Sequence, residues 1–169
     1  MADQTAVPGD LATLVARMRA ADEAMDALRP AVEAGAPWPL SDTFGTEPEA
    51  HWGPPETLAH VAEMVQFWSG EIERVLAGSP KAPVPFGRVA TNPMRIGIIE
   101  RDRSLPPREL FARIRAGVDR LAGRLSELTP ADAGRLGVHP TLGERTVAGI
   151  VEGFVVGHLE EQSSSCATP

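Results

Sequence analysis

The sequence predicts an all-α protein, a four-helix bundle with an ordered Pro/Gly/Trp loop between its first two helices. Three observations carry this. Every strong hydrophobic period advances in steps of three and four residues, the repeat of a helix face. Four long segments show it. No run alternates apolar and polar residues over a strand's length. An amphipathic helix must bury its stripe, and four of about 20 to 25 residues each hide theirs by packing together.

The first helix follows Pro8-Gly9-Asp10, with Leu11, Leu14, Val15, Met18, Ala21, Met25, Leu28 and Val32 on one face. Asp10 suits its N-cap and Gly35 its stop. Residues 36–53 hold turn formers together with Trp38, Phe44 and Trp52, which suits a loop packed on the bundle. Pro54-Pro55-Glu56 opens the second helix, with prolines where no donor is needed and an acid at the positive end. Its stripe runs through Leu58, Val61, Ala62, Val65, Trp68, Ile72, Val75 and Leu76 to a stop at Gly78. Prolines 80, 83 and 85 then keep the chain extended. A short helix is expected after Asn92-Pro93, carrying Ile96, Ile98 and Ile99. The third long helix follows Pro106-Pro107, with Leu110, Ile114, Val118, Leu121 and Leu125. Thr129-Pro130-Ala131-Asp132 resembles the cap of a single turn. The last helix starts near Thr146 and runs through Val147, Ile150, Val151, Phe154, Val155 and Leu159.

With 169 residues and no internal repeat, residues 1–169 read as one domain, with 163–169 an expected disordered tail. The net charge of −7 repels phosphate backbones and anionic lipid, which argues against nucleic acid and membrane as partners. Cys166 is the single cysteine, so no internal disulfide can form. With no signal-peptide pattern at the N-terminus and no apolar run of about 20 residues, a cytoplasmic protein is expected. Cys166 itself lies in a polar tail with nothing nearby to activate it.

The last helix carries the main anomaly. Counted at about 100° per residue, His158 falls near the centre of the apolar stripe, with Glu161 on the same face and Gln162 at its edge. Polar groups turned toward a core cost about 1 to 3 kcal/mol each unless partnered. They can form a site, or the helix can be leaving the core there. On the second helix His60 lies toward the polar side, beside Met64 and Phe67. It suits either a groove between helices or a satisfied boundary position. Glu56 and Glu63 can be ligands, hydrogen-bond acceptors or solvated charges. His51 and His139 read as local packing or turn residues. The chain has no CxxC, HExxH, glycine-rich phosphate loop or Gly-x-Ser-x-Gly elbow, which removes support for the corresponding enzymes.

Three stretches resemble DinB-like proteins, in order across residues 11–162. Trp52-Gly53-Pro54-Pro55-Glu56-Thr57-Leu58-Ala59-His60-Val61-Ala62-Glu63-Met64 resembles the family's second helix, which carries its first metal-binding histidine. His139-Pro140-Thr141-Leu142-Gly143-Glu144-Arg145-Thr146-Val147 is similar to the connection into the last helix. Val156-Gly157-His158-Leu159-Glu160-Glu161-Gln162 is similar to the closing His-x-x-x-His motif, with Gln162 where the family has its third histidine.

The resemblance implies a bundle of four helices, often a homodimer, with a divalent metal (zinc or nickel) held by His60, His158 and the residue at Gln162. It implies a thiol-dependent enzyme of the kind that includes maleylpyruvate isomerases and bacillithiol or glutathione S-transferases. In such a site Glu63 or Glu161 is the candidate base. An amide oxygen is a weaker ligand than imidazole. Either Gln162 binds through it, or Glu161 or Glu63 substitutes, or the site is metal-free. Two functions follow: a metal-dependent S-transferase or isomerase acting on a small molecule or thiol, and a metal-free dimeric bundle that binds a small ligand.

Overall fold

Capping signals in the sequence set most of the helix ends. The computed structural model describes residues 10–42, 44 and 51–165. Helix α1 (Leu11–Asp26) follows Asp10, whose side chain makes no capping hydrogen bond. The expected continuation through Val32 does not occur. The helix breaks at Ala27 and Leu28 and resumes as α2 (Arg29–Gly35). Pro30 explains the break, because inside a continuous helix its ring would strike the carbonyl one turn back, whereas the first turn of a new helix accepts it.

Helix α3 (Pro54–Ala77) begins on its two prolines, and the Glu56 carboxylate accepts a hydrogen bond from the Gly53 N–H at 3.1 Å. Its other end is held from a distance, since Arg135 donates to the carbonyls of Val75, Leu76 and Gly78. Those are the orphan acceptors of a helix C-terminus. Helix α4 (Pro93–Asp102) starts at Asn92, whose side chain accepts from the N–H groups of Met94 and Arg95. Helix α5 (Pro107–Ser126) and the single turn α6 (Pro130–Ala133) follow, the latter with a Thr129–Asp132 capping box.

The all-helical expectation needs one correction. Strands β1 (Val84–Pro85), β2 (Leu136–His139) and β3 (Gly143–Thr146) form a small sheet in the order β1-β2-β3. β1 runs parallel to β2, with Val84 opposite Gly137. β2 runs antiparallel to β3, with His139 opposite Gly143. Strands of two to four residues are too short to show a period-two pattern. The last helix then comes in three joined pieces: α7 (Val147–Ile150), a π-helical segment (Val151–Val156) and α8 (Gly157–Ser165). Thr146 caps it, its hydroxyl accepting from the Gly149 N–H at 3.0 Å. α8 continues through Ser163, Ser164 and Ser165, the start of the expected tail. Residues 166–169, Cys166 included, lie outside the described residues.

The protein is mostly helical, and one continuous core joins its parts. α3 packs on α5 and on the last helix, and α1 closes the other side against α5 and α8. Leu14, Met18, Ile72, Val118, Ile150 and Leu159 are completely buried. Side chains of this kind stabilise by about 1.5 to 3 kcal/mol each. Among the described residues no helix is long and apolar enough to cross a membrane.

Candidate functional site

The polar residues on the inner faces of α3 and α8 meet at one cavity of about 290 Å³. α3 contributes His60, Glu63, Met64 and Trp68. The connection after β1 brings Arg88, α4 brings Arg95, and the last helix brings Phe154 and His158. The imidazoles of His60 and His158 meet edge to face, with centroids 5.4 Å apart and planes at 73°. His60 is 4% exposed, deeper than its place on the helical wheel suggests. Trp52 explains the difference, because it covers the ring at 5.4 Å and is itself stacked on Phe44.

Arg88 and Glu63 form a nearly buried ion pair. One guanidinium nitrogen, Nη2, donates to both Glu63 oxygens at 2.5 and 2.6 Å. The guanidinium lies over the Phe67 ring, 3.6 Å from its centroid, in cation–π contact. A tight turn places it: Gly87 has φ of +86°, and a Cβ there would run into the His139 ring. Arg95 donates from Nη1 to the Ala90 carbonyl at 2.9 Å, and its Nη2 stands 3.4 Å from His60 Nδ1. Burial, then the charges of Arg95, His158 and Arg88, lower the His60 pKa to about 3. The ring is therefore neutral near pH 7. An arginine can only donate, so Nδ1 facing it is the acceptor and the ring proton belongs on Nε2, a tautomer assigned from the hydrogen-bond network.

The structure brings together three of the residues singled out in the sequence: His60, His158 and Glu63. Gln162 lies one helical turn beyond His158 and is half-buried. Glu161 lies on the exposed surface of α8 and outside the cavity, contrary to the wheel count. Glu56 is completely buried, but it is tied to the Ser41 and Gly53 N–H groups and to Arg103. His51 is exposed. His139 is buried at the end of β2, stacked on Phe154 and accepting from the Thr141 N–H, a packing role as expected. Arg88 and Arg95 are the site residues that the sequence reading missed. Neither stands in a periodic segment with a polar anomaly, and only tertiary packing brings them to α3. A larger depression of about 590 Å³ lies between α3, α4 and α5, with Arg101 and Arg113 paired to Asp102 on its wall. Its buried polar groups, Glu63 and Asp102, are both paired with arginines, and no histidine lines it.

A family model of the DinB superfamily matches residues 19–161. The chain belongs to the DinB superfamily. No curated protein and no solved structure matches it.

The metal centre that DinB resemblance implies can be tested against these donors. A metal-ligating histidine normally turns its second ring nitrogen toward a carboxylate or carbonyl acceptor. His60 turns Nδ1 toward a guanidinium, and a neutral ring that accepts there carries its proton on Nε2. Glu63 has both oxygens on Arg88. Among the described residues no group of three or more His, Cys, Asp or Glu side chains is placed to hold a metal ion. Gln162, at the third position, would add a neutral amide. In this arrangement the donor set of the DinB chain does not fit a divalent cation.

Proposed function

We propose that this DinB-superfamily chain is a cytoplasmic, homodimeric four-helix bundle that binds a small molecule in the cavity between His60 and His158, without a resident divalent metal. The observation that carries the reading is the contact between Arg95 and His60, which sets a cation where a metal ligand would need an acceptor. Around it, polar groups converge on an apolar wall of Met64, Trp68 and Phe154, the usual composition of a ligand pocket. The test is a small-molecule screen read by the ring resonances of His60 and His158. Hits that move both signals in the wild type, and lose affinity in Phe154→Ala, support it. A broad set that moves neither signal removes it.

A second reading keeps the metal-dependent S-transferase or isomerase, acting on a small molecule or thiol. The close approach of the two imidazoles favours it. It requires Arg95 to withdraw from His60, and Glu63 to leave Arg88 before it can act as ligand or base. Zinc or nickel bound at about one ion per chain in untagged protein, and lost in His158→Ala, would establish this second reading instead.

A further inference from the structure

The ligand class follows from which nitrogen of His60 carries the ring proton. We propose, resting on the small-molecule reading above, that the cavity takes an uncharged one-ring molecule bearing a carbonyl oxygen, and that the Nε2–H of His60 is the donor that selects it. Arg95 can only donate, so its Nη2, 3.4 Å from His60 Nδ1, requires a lone pair there. An imidazole that accepts on one nitrogen carries its proton on the other. Two sealed side-chain atoms lack a hydrogen-bond partner among the described residues, Trp52 Nε1 and His139 Nε2. His60 Nε2 has no acceptor among those residues either, but it is not sealed. The ring lines the cavity and is otherwise buried, so this N–H opens into it. A ligand oxygen would pair the donor, whereas a purely apolar ligand would strand it.

The surroundings favour an uncharged partner. Arg88 holds both oxygens of Glu63, and Arg95 is engaged by the Ala90 carbonyl and by His60. An anion entering the cavity would give up its water without an uncommitted cation to replace it. An ammonium group brings donors alone, which the Nε2–H cannot accept. No hydrogen bond among the described residues fixes the tautomer of His158, so His60 dictates the kind of group that pairs here. Trp68 and Phe154, 4.3 Å apart between ring centroids, form with Met64 an apolar wall for the rest of the molecule. At about 290 Å³ the cavity equals about ten water volumes at ~30 Å³ each, which admits a one-ring molecule and excludes a nucleotide or coenzyme.

The ring-nitrogen NMR spectrum of the wild type is the first test. His60 is expected to show its proton on Nε2 and a bare Nδ1, and the reverse assignment would overturn the proposal. The probes are acetophenone and isopropenylbenzene, which has a methylene group in place of the ketone oxygen, titrated into the full chain and followed by tryptophan fluorescence. Acetophenone is expected to shift the Nε2 signal. His60→Phe, shown folded by circular dichroism, keeps a ring and removes the donor. It is expected to weaken acetophenone about three- to tenfold, the value of one neutral hydrogen bond, and to leave isopropenylbenzene unchanged. Arg95→Met, measured beside it, is expected to bring the Nδ1–H tautomer into the spectrum and to weaken acetophenone alone. Equal losses for both probes in His60→Phe would overturn the donor role. Benzoate binding more tightly than acetophenone would overturn the uncharged assignment. Binding of neither probe at millimolar concentration would overturn the proposal; hits in the broader screen would still leave the pocket standing, and a silent screen would remove it too.

Discussion

Arg95 Nη2 stands 3.4 Å from Nδ1 of His60, and both side chains are buried. A buried histidine beside a cation is held neutral, the reverse of one paired with a carboxylate. This relationship separates the site from a three-histidine metal centre more sharply than the glutamine at 162 does. Gln162 removes one ligand, whereas Arg95 acts on a histidine that the chain retains.

The first prediction is a pH dependence. The His60 pKa is about 3 in the folded protein, against about 6.5 for an ordinary histidine. As pH falls, the unfolded chain takes up the proton first. The stability linked to His60 is thus complete above about pH 6.5 and is lost as pH falls from there toward 3. While only the unfolded state titrates, the loss is about 1.4 kcal/mol per pH unit. Between pH 7 and pH 5, urea unfolding is expected to show the wild type losing about 2 kcal/mol more than His60→Gln. Equal losses would mean that His60 protonates freely in the fold.

The second concerns the support beneath Trp52. Arg103 Nη1 donates to Glu56 at 3.0 Å and to the Ser41 carbonyl at 2.8 Å, and its guanidinium lies 4.7 Å from the Phe44 ring centroid. Arg103→Met would leave a fully buried carboxylate held by two backbone N–H groups alone. Breaking a buried pair costs about 3 to 5 kcal/mol, and the remaining hydrogen bonds reduce this to about 2 to 4. Urea midpoints measure the loss, and Trp52 fluorescence is expected to shift. Arg103→Met with Glu56→Gln should recover part of it; an additive double variant would show that the ion pair is not the cause.

The helices were legible because stripes, prolines and caps act locally. Pro54, Asn92, Pro107 and Thr129 each mark an element that the structure contains. The break before α2 is legible in Pro30, which a helix continuing through Val32 would have to hold in its interior. The strands were not, being shorter than the pattern that reveals a strand. Of the site, His60, His158 and Glu63 could be found as polar residues near apolar faces. Arg88 and Arg95 could not, because what makes them part of the site is contact with α3 across a loop and a helix.

Two glycines on α5 give opposite expectations. Gly123 has open space where a Cβ would stand, so Gly123→Ala should stabilise by about 0.5 to 1 kcal/mol through helix propensity. At Gly117 a Cβ would come to 3.0 Å from Val65 Cγ1, at the approach of α5 to α3. There the propensity gain is offset by overpacking of about 1 to 3 kcal/mol. Thermal unfolding of the two variants should move in opposite directions. Equal gains would mean that α3 and α5 can separate at no cost.

The last prediction concerns the π-helical segment, which decides which face of α8 meets α3. Over Val151–Val156 the wider turns fall behind an α-helix by roughly one residue's rotation, about 100°. A uniform helical count puts His158 at the stripe's centre and Glu161 inward. With the lag, Leu159 takes the centre, His158 moves to the edge facing the cavity and Glu161 turns outward, in agreement with their burial. The segment thus contains about one residue more than a regular helix needs. Deleting exposed Gly153 should let the helix close in α form while both flanks keep their faces. His60 and His158 should then still show a ring–ring nuclear Overhauser effect, with stability within about 1 kcal/mol of wild type. Inserting an alanine after Gly153 should instead rotate α8 by about 100°, expose Leu159 and cost about 2 to 5 kcal/mol. If the deletion abolishes the ring contact and the insertion preserves it, the segment does not set the register of His158.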